Sequence, residues 1–282
     1  MAFPTVVART TSQQTSDATA WSPSLGSPSA GDLVLAILAV DGALSSDQPF
    51  TVDTDASGFG WHKVIQANGA ANGVAAFWKI AAGGDVLRVH HATIGAGPGE
   101  QGSAVVYRMT GAAAVAAAST TGSSTNADPP NLGISGAAQD ALWIAACVHD
   151  GAMTASAAPA SYTNLTTIAA GSGGNASINS AERQVNGTSE NPGAFTTTNA
   201  AWIGLTFAVM SVSVTTTARA TQEAVETLSQ VSPNLVATQV AVEALSSNLL
   251  DMIVTQVAVE LLSENVPDDA VGGDAAMIGF LF

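Results

Sequence analysis

Short apolar runs walled in by chain-turning residues fill the first three quarters of this chain, and they limit what it can fold into. The run Leu33-Val-Leu-Ala-Ile-Leu-Ala-Val40 follows Pro28, Gly31 and Asp32. It is apolar throughout, shorter than most helices and bounded by turn residues, the pattern of a strand covered on both faces. Residues 73–80, 86–91, 104–109, 141–148 and 201–214 read in the same way. Between them lie Gly83-Gly84, Gly95-Ala-Gly-Pro-Gly99 and the stretches 122–130 and 171–175, all rich in residues that reverse the chain. No stretch before residue 215 has a convincing helical period. The alanine-rich segment 111–118 fits either one short helix or a strand at a sheet edge. Many short strands joined by Gly- and Pro-rich turns predict an all-β domain, a β-sandwich or jelly roll, spanning residues 1–213.

Five tryptophans punctuate this region. Trp78, Trp143 and Trp202 sit inside apolar strands, where a large flat side chain anchors a core between two sheets. Trp61, in Gly-Phe-Gly-Trp-His-Lys, lies beside a loop. It fits either a core position or the stacking surface of a glycan site. Cys147 is the only cysteine, so neither an intrachain disulfide nor a thiolate metal cluster can form. Its setting in Ala-Leu-Trp-Ile-Ala-Ala-Cys-Val predicts a buried, inert thiol.

After residue 214 the text changes. Thr221-Gln-Glu-Ala-Val-Glu-Thr-Leu228 is followed by Thr238-Gln-Val-Ala-Val-Glu-Ala-Leu245 and Thr255-Gln-Val-Ala-Val-Glu-Leu-Leu262, each starting seventeen residues after the last. Six of the eight positions are identical in all three, and serine follows each copy. Such self-similarity marks a repeated structural unit, here residues 214–266. As a strand, Val240 and Val242 share one face; as a helix, Val242 and Leu245 are neighbours. The β-branched content favours strands. A few strands alone are marginally stable, so Val240, Val242, Leu245, Val257, Val259 and Leu262 are expected to bury themselves against the large domain or against neighbouring subunits. Residues 267–282 end in apolar Ile278, Phe280, Leu281 and Phe282. They read as a docking tail.

The formal net charge of -15 argues against nucleic acid and against an anionic membrane as partners. Charged residues make up 10% of the chain, against about 25% in ordinary soluble domains. That suits a subunit wetted by hydroxyls and covered by partners. After Arg219 there is no basic residue, while nine carboxylates follow. The N-terminus has no basic start and no long apolar stretch, so synthesis in a cytoplasm is expected and membrane insertion is not.

No constellation of catalytic residues emerges. His90 and His91 are adjacent on an expected strand and point to opposite faces. His149-Asp150-Gly151 reads as a strand end. Gly95–Gly99 is interrupted by Pro98 and opens no helix, and neither a nucleophile elbow nor a metalloprotease spacing is present. Asp53 and Asp55 alone are a weak calcium signal. The expectation is a non-enzymatic protein without cofactor or metal.

The tandem Thr-Gln-x-Ala-Val-Glu-x-Leu units resemble the short repeats near the C-termini of many tailed-phage structural proteins. The text around Ala30-Gly-Asp-Leu-Val-Leu35, Gly60-Trp61 and Asp140-Ala-Leu-Trp-Ile144 looks like the β-sandwich domain that accompanies them. The first copy departs from the pattern with Glu223 where the others have valine. The resemblance implies a virion component of the tail tip, fibre or head surface. It implies a homo-oligomer joined to other virion proteins through its C-terminal repeats and tail. The alternative is a carbohydrate-binding adhesin that recognises host surface glycans, with Trp61 as a contact.

Overall fold

The computed structural model describes residues 2–18, 20–42, 50–52, 60–69, 72–90, 100–169 and 176–212. These are strands and connections, with no helix among them. In chain order the strands are β1 (Thr5–Ala18), β2 (Ala20–Trp21), β3 (Leu33–Asp41), β4 (Thr51–Val52), β5 (His62–Asn68), β6 (Asn72–Ile80), β7 (Val89–His90) and β8 (Glu100–Thr110). The second half follows with β9 (Ala112–Ala127), β10 (Leu132–Gly133), β11 (Gln139–Asp150), β12 (Thr163–Ala169), β13 (Ala176–Gly187), β14 (Ser189–Glu190) and β15 (Phe195–Ser211).

Two five-stranded antiparallel sheets face each other, ordered β1-β8-β3-β6-β5 and β12-β13-β11-β15-β9. Leu33, Leu35, Ile37 and Ala39 of β3 point into the space between them and meet Leu142, Ile144, Ala146 and Val148 of β11 in one core. The opposite face of β3, Val34, Ala36, Leu38 and Val40, is equally buried. It lies beneath Trp21, Leu25, Phe50, Trp61 and Leu87 from the connections and from a small sheet, β2-β7-β4. The outer face of β11 is covered in turn by Leu132, Ile134, Ala155, Tyr162 and Phe195. The described residues thus form three apolar layers. This is why β3 and β11 are apolar at nearly every position instead of alternating. The expected strand covered on both faces is what β3 is.

The pairs β1·β8, β2·β7 and β3·β6 nest inside one another, as when a long two-stranded ribbon is rolled up into a jelly roll. The pairs β9·β15, β10·β14 and β11·β13 nest identically. The domain is therefore two copies of one topology, joined at Gly111, whose φ of 69° turns β8 into β9. The match extends to register. Leu33, Leu35, Ile37 and Ala39 pair with Met109, Tyr107, Val105 and Ser103. Leu142, Ile144, Ala146 and Val148 pair with Val209, Phe207, Leu205 and Ile203. Both central strands end in Asp-Gly, with Gly42 and Gly151 at φ 96° and 87°. Both β5 and β12 follow a buried aromatic, Trp61 or Tyr162, and both carry an irregularity in their first residues. β1 lies over β12 as β9 lies over β5, and β3 lies over β13 as β11 lies over β6. An approximate two-fold axis between the sheets requires this.

Candidate interaction surface

The two places where sheet edges meet are built from different chemistry. Where β1 meets β12, the Arg9 guanidinium grips Glu182, with Nε 3.0 Å from Oε2 and the second nitrogen on Oε1. Asn164 Nδ2 donates to the same carboxylate at 2.7 Å. Gln13 Nε2 donates to the Ala169 carbonyl and Gln184 Nε2 to that of Pro4. Where β9 meets β5, Ala117 stands in the place of Arg9 and Trp78 in that of Glu182, by register against Phe207 and Ile144 or Tyr107 and Leu35. Val64, Ile65, Ala67, Val115 and Ala117 pack there against the core. One seam is polar and clamped; the other is apolar.

β9 is the less protected of the two longest edge strands, since β1 carries Arg9 and Asp17 and β9 carries no charge. Among the described residues it pairs only with β15. Its sixteen residues contain no charged side chain and no proline. Ser119, Thr121, Ser123 and Thr125 are exposed along it. Gly122 is needed because the Trp202 indole lies on it; a Cβ there would fall 2.3 Å from Cζ2. Natural edges are protected by charge, proline or bulges, because a bare row of N–H and C=O groups templates another strand. β9 has little of that protection beyond an irregularity opposite Thr196 and Ala200.

Trp61 does not offer a sugar platform. It is only 8% exposed, packs in the outer layer of the first sheet and donates Nε1–H to the Val86 carbonyl at 3.3 Å. Beside it, Lys79 and Asp85 form a buried ion pair at 2.6 Å, with the Lys79 ammonium 5.9 Å from the Trp61 ring centroid. Burial pushes the Asp85 carboxyl up, but hydrogen bonds from Lys79 and from the Ala82 and Gly83 amides outweigh it and hold the group below its usual range. The equivalence of Trp61 to Tyr162 could have signalled this structural role, since each precedes an edge strand. Among the described aromatic residues only Phe3 and Trp78 reach the surface even in part, and Trp78 stacks on His62 at 4.9 Å.

The expected assembly residues Val240, Val242, Leu245, Val257, Val259, Leu262, Ile278, Phe280, Leu281 and Phe282 lie outside the described residues, as do His91, Asp53, Asp55 and the 95–99 loop. Trp143 and Trp202 are core anchors, each with its indole N–H donated, to the Val185 carbonyl and Ser124 Oγ. Cys147 is buried, and burial pushes its thiol up, out of the reactive range. His149 is the next-to-last residue of β11 and is wholly buried. Among the described residues no three metal-ligating side chains converge. No protein-family model, curated protein or solved structure matches the chain.

Proposed function

We propose that the chain is a structural component of a tailed-phage virion, at the tail tip, in a fibre or on the head surface, which binds copies of itself and other virion proteins and catalyses nothing. The observation that carries this reading is the tandem repeat of residues 221–262, set behind a double jelly roll whose layers are filled with side chains. Such a domain is a rigid block, and its exposed backbone lies at its edges.

The β9 edge supports self-association in particular. The chain as a whole carries a net charge of -15, so two copies repel over most of their surface. Along β9 they bring no carboxylates together. Two β9 strands laid antiparallel across a two-fold axis present the same small residues to each other, the arrangement a closed dimer requires. Val212, the last described residue, donates its N–H to the Gly111 carbonyl beside the start of β9. The acidic repeats and tail follow in sequence.

The test compares the full chain with a chain ending at residue 212. Both are examined by light scattering and by incorporation into particles assembled in infected cells. The full chain is expected to enter particles; the shortened chain is expected to keep its β circular dichroism and stay out. A shortened chain that still enters particles overturns the role given to the repeats and tail. A full chain missing from purified particles by mass spectrometry overturns the virion reading.

A further inference from the structure

The outer face of β11 carries Trp143, Ala145, Cys147 and, two residues on, His149. His149 is 0% exposed, and beyond a contact with the Ala201 backbone its ring nitrogens find no partner. Buried polar groups are nearly always paired, so this half-satisfied ring calls for an explanation. The duplicated fold sharpens the point. Val40 holds the same place in the first half, seven positions after Leu33 as His149 is after Leu142. Val40 is equally buried. The fold therefore does not need a histidine there.

Segment 151–158 straps across this corner. The Met153 N–H donates to Ser177 Oγ at 3.2 Å, and the Ala155 N–H to Asn179 Oδ1 at 2.8 Å. Asn179 Nδ2 returns a bond to the Met153 carbonyl, and the Ser156 N–H donates to the Thr196 carbonyl. Ser177 is the direct cross-strand neighbour of His149. The strap is thus tied to the residue beside the ring.

We propose that His149 is an acid-operated latch: the neutral ring lets strap 151–158 lie closed on β13 and β15, and a proton on the ring releases it. Among the described residues no counter-charge is built in: the strap, β13 around Ser177 and Asn179 and β15 at residues 199–202 contain no carboxylate and no cation. Asp150 follows on the opposite face of β11 and is exposed, and Cys147 is a buried neutral thiol. Burial holds the imidazole below its ordinary range, and the neighbouring Ala201 backbone, which favours the cation, does not cancel that. An uncovered imidazole takes its proton at roughly pH 6.5. The closed form is therefore fully favoured above that value and loses ground as pH falls below it, by up to about tenfold per pH unit.

The experiment is amide hydrogen exchange on the full chain between pH 7.5 and 5, corrected for intrinsic rates. It follows Met153, Ala155 and Ser156 in the wild type and in His149→Val, the residue found in the other half. The expected result is a fall in strap protection of tenfold or more in the wild type and a flat profile in the variant. Equal profiles in the two proteins overturn the latch. An independent measurement needs no variant: the His149 ring resonance is titrated in the native protein. A ring that titrates near its ordinary pKa while the strap stays protected also overturns it.

Discussion

Lys79 is a cation buried in the outer layer of the first half, and its side chain is as buried as that of its partner Asp85. Taking both out of water is offset only because Asp85 also accepts from the Ala82 and Gly83 amides, while the ammonium lies near the Trp61 ring. Removing one partner of such a pair strands the other. Lys79→Met is expected to lower unfolding stability by about 3–5 kcal/mol in urea titrations, and adding Asp85→Leu should restore most of the loss. A loss below about 1 kcal/mol would mean that water reaches Asp85 in the native protein. Little of this was legible in the sequence. Lys79 ends an apolar run and Asp85 follows a Gly-Gly turn, but only the closed turn brings them together. Trp61 was ambiguous for a related reason. Its flanking glycines mark a loop, and the layer that covers it comes from residues both before and after it in the chain. Cys147 and Trp143 were legible because their own neighbours in sequence are apolar enough to bury them.

At the level of elements, β3, β6, β8 and β11 could be read directly, since strands sandwiched between two layers have to be apolar on both faces. β1, β12, β13 and most of β9 could not. β1 and β9 are edge strands written in Thr, Ser, Gln and Ala, which resemble loop text. β13 is nearly as buried as β11, yet it carries Ser177, Asn179, Ser180 and Glu182. These polar groups are satisfied from other elements: Tyr107 O–H donates to Ser180 Oγ, and Arg9 binds Glu182. A linear pattern does not record such partners. The openness of β9 carries its own prediction. Ser119→Lys together with Thr121→Lys places two like charges on each copy along the edge. The pair is expected to weaken self-association at least tenfold in sedimentation equilibrium while leaving the melting temperature nearly unchanged, because both side chains are exposed. Unchanged association would remove β9 from the joint.

The described domain is one rolled ribbon made twice, and its all-β class was evident before its duplication was. The two halves share inward-facing positions and the Asp-Gly strand ends, but few identities elsewhere. Packing between sheets conserves which way a side chain points more strictly than which side chain it is. One dependence follows at this scale. β15 lies between β11 and β9 and supplies Ile203, Leu205, Phe207 and Val209 to the central core. A chain stopped after Gly193 is expected to lose the native fold altogether, with collapsed dispersion in its NMR spectrum. Retention of a folded first half alone would show that the halves are independent. The nested pairing also sets an order of events. Inner hairpins such as β5·β6 and β12·β13 close over short loops, whereas β1 and β9 each wait for a strand far along the chain, across 81 and 67 intervening residues. During synthesis β15, the partner of β9, is the last strand of the described domain to emerge, so the edge proposed as the joint is the last to be completed. A nascent or truncated subunit has no finished surface to offer, so only completed copies can be recruited, and the order of folding acts as a quality check on assembly.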